Sequence, residues 1–255
     1  MFRKRERIEI KTPSQLAVMR QAGLVVARTL ALVAAEVRAG ITTAELDEVA
    51  AESIRSEGAL PSFLDYHGFP AHICVSVNDE VVHGIPGARV LAEGDLVSID
   101  CGAIVDGWHG DAALSVPVGT VAAELLELSR VTEQSLAAGI AAAVAGGHVG
   151  DIGYAVEQYI RSQGPYGIVE DYVGHGIGSA MHMSPSVPNY GRRGEGPQIR
   201  EGMALAIEPM VTLGAADTKV LSDDWTVVTA DGRPAAHWEH SVAITADGPV
   251  VLTAL

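Results

Sequence analysis

The sequence predicts a mixed α/β fold built from two similar halves, because the same order of helices and strands is expected twice. The segment IRSEG at residues 54–58 recurs as IRSQG at residues 160–164. Residues 91–100 and 199–208 also match, at nearly the same offset along the chain. Two such matches predict an internal duplication. We therefore expect one domain over residues 1–255, with halves at about residues 12–118 and 119–250.

Helices open the first half. Thr12 caps the first helix, because Pro and then Gln follow it in the order of a capping box. Apolar residues then recur every three or four positions up to Val33. A second helix is expected to begin at Thr42 and end near Gly58. The next predicted elements are a strand at residues 72–77, a turn at 78–80 and a short extended segment at 81–84.

A β-hairpin is predicted at the centre of the first half. Residues 96–99 form a β-rich run that ends at Asp100, and a second run returns to Asp111 after the Asp-Gly pair at 106–107. A turn centred on residues 105 and 106 would make the two aspartates direct cross-strand partners, with Cβ atoms about 5 Å apart. Such carboxylates repel unless a proton or a cation lies between them. The alternative is that both are ordinary turn residues.

The second half repeats this order. Residues 122–145 and 151–163 are predicted helices, and residues 225–228 and 237–244 are predicted to pair as a hairpin around Asp231-Gly232. Glu239 then lies inside a β-branched strand, where a carboxylate is costly unless something binds it. The duplication places Asp100 and Glu208 at equivalent strand ends, so a pseudo-two-fold axis would bring both to a central cleft.

Five metal-ligand residues interrupt apolar segments: Asp100, Asp111, Glu208, Glu239 and His175. His175 lies in a glycine-flanked segment, expected to be a loop, that lets the backbone approach a ligand closely. Four carboxylates and one imidazole favour Mn, Fe(II), Co or Zn with carboxylate bridges rather than a structural zinc site. Because four negative charges exceed what one divalent ion usually gathers, we expect two divalent ions, typically ~3.5–4 Å apart.

Five motifs, in order, resemble the type I methionine aminopeptidases. They are NDEVVHGIP at residues 78–86, the Asp100 and Asp111 pair, GHGIG at 174–178 with the following His182, AIEP at 206–209 and WEH at 238–240. The resemblance extends from about residue 12 to the C-terminus. It implies the pita-bread fold, in which two pseudo-two-fold-related halves with an antiparallel sheet flanked by helices surround a central metal cleft. It also implies a single catalytic domain that removes the N-terminal (initiator) methionine from polypeptides whose second residue is small.

The resemblance further implies a role for each motif residue. The ligands would be Asp100 for the first ion, Asp111 and Glu239 as bridges, and His175 and Glu208 for the second ion. A hydroxide bridging the two ions would attack the scissile carbonyl, and Glu208 would take a proton from the nucleophilic water. His83 and His182 would contact the substrate amine or scissile amide and stabilise the tetrahedral intermediate.

The methionine side chain is expected in an apolar pocket, because sulfur and aromatic edges attract a thioether. By family position the pocket would be lined by Phe63, Tyr66, Phe69, Cys74, Met181 and Trp225. Met181 stands where the family often has an aromatic, and Met183-Ser184 replace acidic residues often found after the histidine. These departures bear on pocket shape and rate rather than on reaction type. Core packing explains Phe63, Phe69 and Met181 taken singly just as well.

The other histidines are expected to be structural, because none has a repeated ligand context. They are His67, His72, His109, His148, His237 and His240. Cys101, beside Asp100, is expected to be a small buried filler.

Composition limits the partners and the compartment. A formal charge of −15, from 17 basic and 32 acidic groups, argues against nucleic acid or an anionic membrane. The two cysteines form no disulfide framework, and the basic N-terminus has no apolar run behind it like that of a signal peptide. Residues 24–37 and 135–145 are expected to be too short or too rich in Ala and Gly to span a bilayer. We therefore expect a cytoplasmic monomer whose substrates are nascent or short peptides with N-terminal methionine. A transient association with the ribosome stays open.

Two rival functions remain. A proline-specific aminopeptidase or dipeptidase of the same fold usually carries an N-terminal domain for which this chain has no room. A metal-free binding protein on this scaffold would be expected to have lost ligands, yet all five are present. A further expectation concerns the chain itself: because bulky Phe2 follows Met1, the protein should keep its own Met1.

Overall fold

The computed structural model describes residues 8–255. Met1 and Phe2, and with them the expectation that Met1 is retained, lie outside these residues. The described chain forms four α-helices: α1 (Pro13–Glu36), α2 (Thr43–Ser56), α3 (Ala123–Ala142) and α4 (Val149–Gln163). Its fifteen strands are β1 (Leu60–Pro61), β2 (Ile73–Val77), β3 (Glu80–Val82), β4 (Leu96–Val105), β5 (Trp108–Pro117), β6 (Gly167–Ile168), β7 (Gly174–Gly176), β8 (Met183–Val187), β9 (Ala204–Ile207), β10 (Met210–Thr212), β11 (Thr218–Val220), β12 (Val227–Thr229), β13 (Ala235–His237), β14 (Glu239–Thr245) and β15 (Gly248–Val251).

Local sequence chemistry sets the helix starts. Thr12 caps α1, and its backbone N–H donates to the Gln15 side chain at 2.8 Å while its hydroxyl accepts from the Gln15 backbone at 3.3 Å. Thr42 and Glu45 form the same reciprocal pair at α2. Helix α2 ends just before Gly58, whose φ of +70° suits glycine. All four predicted helices are therefore confirmed to within a few residues.

One nine-stranded sheet organises the molecule. Its strands lie in the order β1-β4-β5-β14-β9-β7-β8, with β2 also paired to β4 and β15 to β14. In the middle of this sheet β5 pairs with β14; β4 lies on the other side of β5, and β9 lies on the other side of β14. Two small sheets, β13-β10-β6 and β11-β12-β3, complete the strand pairing of the described chain.

The central hairpin differs from its prediction in register. Its turn lies at Asp106 and Gly107, because these two residues have positive φ angles of 47° and 79°, as a tight hairpin turn requires. Asp100 consequently lies opposite Ala113, and Asp111 lies opposite Gly102. The prediction that Asp100 and Asp111 are direct partners, and that the first strand ends at Asp100, is wrong. They are diagonal neighbours in two strands of ten residues each.

The predicted C-terminal hairpin is also wrong. β12 pairs with β11 and β3, whereas β13 pairs with β10 and β14 pairs with β5, β9 and β15. The Asp231 carboxylate accepts hydrogen bonds from the Ala215 and Arg233 backbones. These bonds hold the Asp-Gly segment in a wider loop. As a result β12 and β13 pair with other strands and not with each other.

Backbone hydrogen bonds recur between the two halves. Gly40 N–H donates to Leu91 at 2.8 Å, and Gly146 N–H donates to Ile199 at 2.9 Å. The reverse bonds, from Leu91 to Ile41 and from Ile199 to Gly147, are both 2.8 Å long. An internal duplication would produce this correspondence; the duplication itself stays a prediction.

Helix α1 packs closely on the sheet. A Cβ at Gly110 of β5 would lie 2.8 Å from the Gly23 backbone nitrogen, and a Cβ at Gly23 would collide with the Leu252 carbonyl oxygen, so neither position has room for a side chain. By length and composition alone, α1 is long and apolar enough to cross a bilayer, contrary to the expectation from residues 24–37. Half of its most apolar segment is buried within the fold. A helix buried in this way is also typical of a protein core.

Candidate metal centre

Five neighbouring strands of the main sheet present the predicted ligands. β4 carries Asp100, β5 carries Asp111, β14 begins at Glu239, β9 is followed directly by Glu208, and β7 carries His175. Ala113 lies opposite both Asp100 and Glu239, so one small residue separates these two carboxylates across three strands. All five predicted ligands line one pocket.

The carboxylates are buried without partners for all of their oxygens. Asp111 and Glu239 are each 2% exposed. Asp100 Oδ1, Asp111 Oδ1 and Glu239 Oε1 have no hydrogen-bond partner among residues 8–255. Leaving such oxygens unpaired is costly, and cation binding removes the cost. The oxygen-rich donor set with a neutral imidazole therefore fits divalent transition-metal ions.

The charge state of this cluster depends on its surroundings. Burial raises the pKa of Asp100 to about 7. Burial, and then the neighbouring Glu239 and Asp100 carboxylates, raise the pKa of Asp111 well above its usual range. Burial and the adjacent carboxylates do the same to the pKa values of Glu208 and Glu239. In the absence of cations, these groups retain protons that solvent-exposed carboxyl groups would release.

His175 is oriented as a ligand. Its Nδ1 lies 3.0 Å from the Gly176 carbonyl oxygen. Because Nδ1–H donates to that oxygen, Nε2 keeps its lone pair. Nε2 lies 3.5 Å from Glu208 Oε1 and 3.9 Å from Asp111 Oδ2. Burial lowers the pKa of His175 to about 3, which leaves the ring neutral and able to bind a metal ion.

The segment around His175 is a strand rather than the expected loop. β7 lies between β8 and β9. A Cβ at Gly174 would collide with the Ala206 carbonyl, and a Cβ at Gly176 would collide with the Ser184 carbonyl. The glycines are thus required by close strand packing, which places His175 against the other ligands.

The six residues predicted for the side-chain pocket all line the same cavity as the ligands. The Phe69 ring makes edge contacts with Phe63 and Trp225, at centroid distances of 6.4 and 5.1 Å. Cys74 lies opposite Asp100 in the sheet. The cavity volume is about 130 Å³, well below the ~300–1,000 Å³ of typical small-molecule pockets. The space suits a single side chain.

The two predicted catalytic histidines also face this cavity. His83 has a left-handed backbone, with φ of 61°, which is rare outside glycine and is concentrated at functional sites. Its ring makes edge contacts with Tyr172 and Trp225. His182 Nδ1 lies 2.9 Å from the Tyr66 hydroxyl, and its ring lies 4.2 Å from the His175 ring.

Two histidines that we expected to be structural also lie at the site. His67 lines the cavity and contacts the Tyr66 ring at a centroid distance of 4.5 Å. His237 is 2% exposed, and its Nε2 lies 3.7 Å from Glu208 Oε2. The missed signals were the position of His67 between two pocket aromatics and the His-x-Glu spacing that links His237 to Glu239. His72 and His240 bond instead to Asp47 and Thr253.

A larger, open groove of about 1010 Å³ lies elsewhere, along β8 and residues 196–203. His148 is the one residue of metal-ligand type that lines it within the described chain. The predicted ligands and catalytic histidines therefore line the smaller cavity and not this groove.

Known proteins share this sequence and architecture. The sequence model of metallopeptidase family M24 matches residues 17–246. Methionine aminopeptidase 1 of Mycobacterium tuberculosis is 52% identical over 99% of this chain and 97% of its own length. The crystal structure of a Thermotoga maritima methionine aminopeptidase superposes with a TM-score of 0.96 at 41% identity, covering 98% of this chain and all of that one.

A Pyrococcus furiosus prolidase shares the fold alone. It has a TM-score of 0.77 at 20% identity, and covers 96% of this chain but 65% of its own. The predicted fold class and the resemblance drawn from the five motifs are therefore confirmed. The chain belongs to metallopeptidase family M24 and, within it, to the methionine aminopeptidases.

Proposed function

We infer that this chain is a metal-dependent aminopeptidase that removes the N-terminal (initiator) methionine from polypeptides whose second residue is small. One observation carries the inference: the five ligand residues, the two catalytic histidines and the six pocket residues all line a single cavity. The inference is supported by the lining of this cavity, where apolar and aromatic side chains lie beside the carboxylate cluster, as an enzyme that releases one terminal residue requires.

Two divalent ions, Co, Mn, Fe or Zn, would be held by Asp100, Asp111, His175, Glu208 and Glu239. When bound, such ions polarise a carbonyl group and lower the pKa of water toward ~7. The four carboxylates neutralise the ions, and His175 supplies a neutral nitrogen ligand fixed in direction by the Gly176 carbonyl.

The aromatic and sulfur-containing residues bind the first side chain of the substrate. Phe63, Phe69, Cys74 and Met181 are buried around the cavity. Aromatic edges and sulfur attract a thioether by ~0.3–1.5 kcal/mol per contact. The same residues pack against one another as a small apolar cluster, so the pocket is also a packed part of the core and holds its shape before substrate arrives.

His182 is positioned by Tyr66. The Tyr66 hydroxyl lies 2.9 Å from His182 Nδ1, so its proton is available to that ring nitrogen. A neutral imidazole that accepts at Nδ1 carries its proton on Nε2. His182 Nε2–H would therefore donate to the carbonyl oxygen as negative charge develops there.

His83 and Glu208 complete the arrangement. Burial lowers the pKa of His83 to about 4, so the ring is neutral and can hydrogen-bond the substrate amine or the scissile amide. Burial raises the pKa of Glu208, which suits a group that takes a proton from the attacking water and returns it to the leaving amine.

A peptide assay tests the proposed function. After reconstitution with Mn, Fe(II), Co or Zn, the protein should release methionine from Met-Ala-Ser and not from Met-Leu-Ser. Hydrolysis of Xaa-Pro peptides alone would assign the chain to the proline-specific class. Binding of fewer than one divalent ion per chain, without hydrolysis of any peptide, would support a metal-free binding protein.

The proposed setting of the enzyme is the cytoplasm, where nascent or short peptides with N-terminal methionine are its substrates. We expect a monomer without nucleic-acid or membrane partners, and any association with the ribosome to be transient. Sedimentation of the protein alone and with ribosomes tests these expectations. Mass spectrometry of the mature chain should show retained Met1; a chain that begins at Phe2 would contradict that.

A further inference from the structure

His237 is a buried imidazole that the proposed mechanism does not use. It is the last residue of β13, two positions before Glu239. Its side chain is 2% exposed, and Nε2 has no hydrogen-bond partner among residues 8–255. We propose that His237 is a second imidazole ligand of the metal centre, a role that rests on the proposed function because it requires divalent ions in this cavity.

The position of His237 is set by its backbone. Its N–H donates to the Ser115 and Ser98 hydroxyls at 3.1 and 3.3 Å. Ladder pairing with Met210 of β10 holds the other side of the strand. The backbone is therefore held on two sides while the ring nitrogen faces the carboxylates. The ligand atoms of His237, Glu208 and Glu239 all lie within 4.8 Å of one another.

The distances favour a shared cation over a direct hydrogen bond. His237 Nε2 lies 3.7 Å from Glu208 Oε2, beyond the ~2.7–3.2 Å of a hydrogen bond. Two ligand atoms, each ~2.1 Å from one ion at tetrahedral or trigonal angles, lie ~3.4–3.6 Å apart. The distance of 3.5 Å between His175 Nε2 and Glu208 Oε1 is likewise longer than a hydrogen bond and close to the separation of two ligands of one ion.

The Glu208 carboxylate thus lies between two imidazoles, with Oε1 toward His175 and Oε2 toward His237. A second nitrogen donor shifts the preference of the site toward Co, Fe and Zn and away from Mn, which suits oxygen ligands.

Isothermal titration of the metal-free protein with Co(II) and with Mn(II) tests the proposal. His237→Gln should weaken Co(II) binding at least ~10-fold and Mn(II) binding less, because loss of an interaction at a metal site typically costs 10–100-fold in affinity. His240→Gln is the matched control. His240 adjoins Glu239 but bonds to Thr253 through Nδ1, so its variant should bind both ions as the wild type does.

A second measurement is independent of any variant. NMR of the Co(II)-loaded wild type should show paramagnetically shifted signals from two metal-bound histidines, and His237→Gln should lose one of them. Signals from one histidine alone in the wild type would overturn the proposal. So would unchanged Co(II) affinity in His237→Gln, because glutamine keeps a hydrogen-bond donor and lacks the imidazole.

These outcomes separate the two proposals. If the wild type binds fewer than one ion, the proposed function fails, and the role of His237 fails with it. If the wild type binds metal and hydrolyses Met-Ala-Ser while His237→Gln binds Co(II) normally, only the second-imidazole proposal fails. Thermal melting of the metal-free variants identifies any loss of affinity that arises from misfolding.

Discussion

The two predicted halves of the chain share corresponding backbone hydrogen bonds but differ in the candidate ligands they contribute. In the first half, Asp100 and Asp111 lie inside two uninterrupted strands of ten residues. In the second half, Glu208 directly follows a strand of four residues. Glu239 is the first residue of β14, and Trp238 separates it from the end of β13. The carboxylates of both halves line one pocket. Asp100 and Glu208 therefore hold matching positions in the predicted repeats although the strands that carry or precede them differ in length.

The second predicted half also contains the predicted nitrogen ligand, His175. His175 on β7 lies opposite Ala206, whereas β2, which pairs with β4 as β7 pairs with β9, places Cys74 opposite Asp100. The first half thus offers hard oxygen donors alone, and the second half offers a mixed set. This difference can be tested by changing one half at a time.

The largest effect is expected at the junction of the halves. Asp111 on β5 and Glu239 on β14 lie on adjacent strands. Asp111→Asn and Glu239→Gln should each reduce Met-Ala-Ser hydrolysis more than ~100-fold and reduce bound metal, because each removes a ligand rather than an outer partner. Activity and metal content should be measured on the same samples. A tenfold difference between the two variants would show that the halves contribute unequally.

The next largest effect concerns stability without metal. The pKa of Asp100 is raised to about 7, against ~3.9 in an unfolded chain. The folded state therefore binds this proton more tightly, and its contribution to stability, complete below the unfolded pKa, is lost as pH rises through about 7. The melting temperature of chelator-treated protein should fall between pH 5 and pH 8.

Two controls sharpen this result. Added Co(II) or Mn(II) should raise the melting temperature most at the higher pH, because the ions replace the lost protons. Asp100→Asn should reduce the pH dependence of the metal-free protein. A melting temperature that stays constant from pH 5 to pH 8 without metal would contradict the raised pKa.

A smaller effect is expected where the halves contact each other across the pocket. Tyr66 belongs to the first half and His182 to the second, and they are joined by the 2.9 Å hydrogen bond. Tyr66→Phe should lower kcat ~10–100-fold with little change in KM. The substitution removes the hydrogen bond that orients His182 but keeps the aromatic ring that lines the cavity. Tyr159→Phe, which loses a surface contact with Arg130, serves as the control. An effect on KM alone would make Tyr66 a substrate contact only.

The smallest effect compares helix caps at corresponding positions. The Thr42 hydroxyl caps α2 by accepting a hydrogen bond from the Glu45 backbone N–H. The Glu45 carboxylate accepts a hydrogen bond from the Thr42 backbone N–H. At α4, the Asp151 carboxylate accepts the His148 N–H at 2.7 Å. Thr42→Ala should lower the free energy of unfolding by about 1 kcal/mol, because it removes the hydroxyl that accepts the Glu45 backbone N–H. His148→Ala should lower it by less, because the Asp151 backbone N–H bonds to the backbone carbonyl of residue 148, which the substitution keeps. Urea denaturation of both variants measures the difference.

The sequence by itself determined the elements that depend on near neighbours. Thr12 and Thr42 predicted their helix starts, because a cap bonds to residues three positions away. The five motifs, through the resemblance they carry, also placed all thirteen predicted site residues, every one of which lines the cavity.

Only the tertiary structure decided which distant segments pair. The positive φ angles of Asp106 and Gly107 set the β4–β5 register, and so made Asp100 and Asp111 diagonal neighbours. The C-terminal strands pair with β3, β10 and β9, which precede them by many residues. His237 reaches the carboxylates for the same reason. Pairing between distant strands follows the packing of the whole sheet, and local sequence patterns do not contain that information.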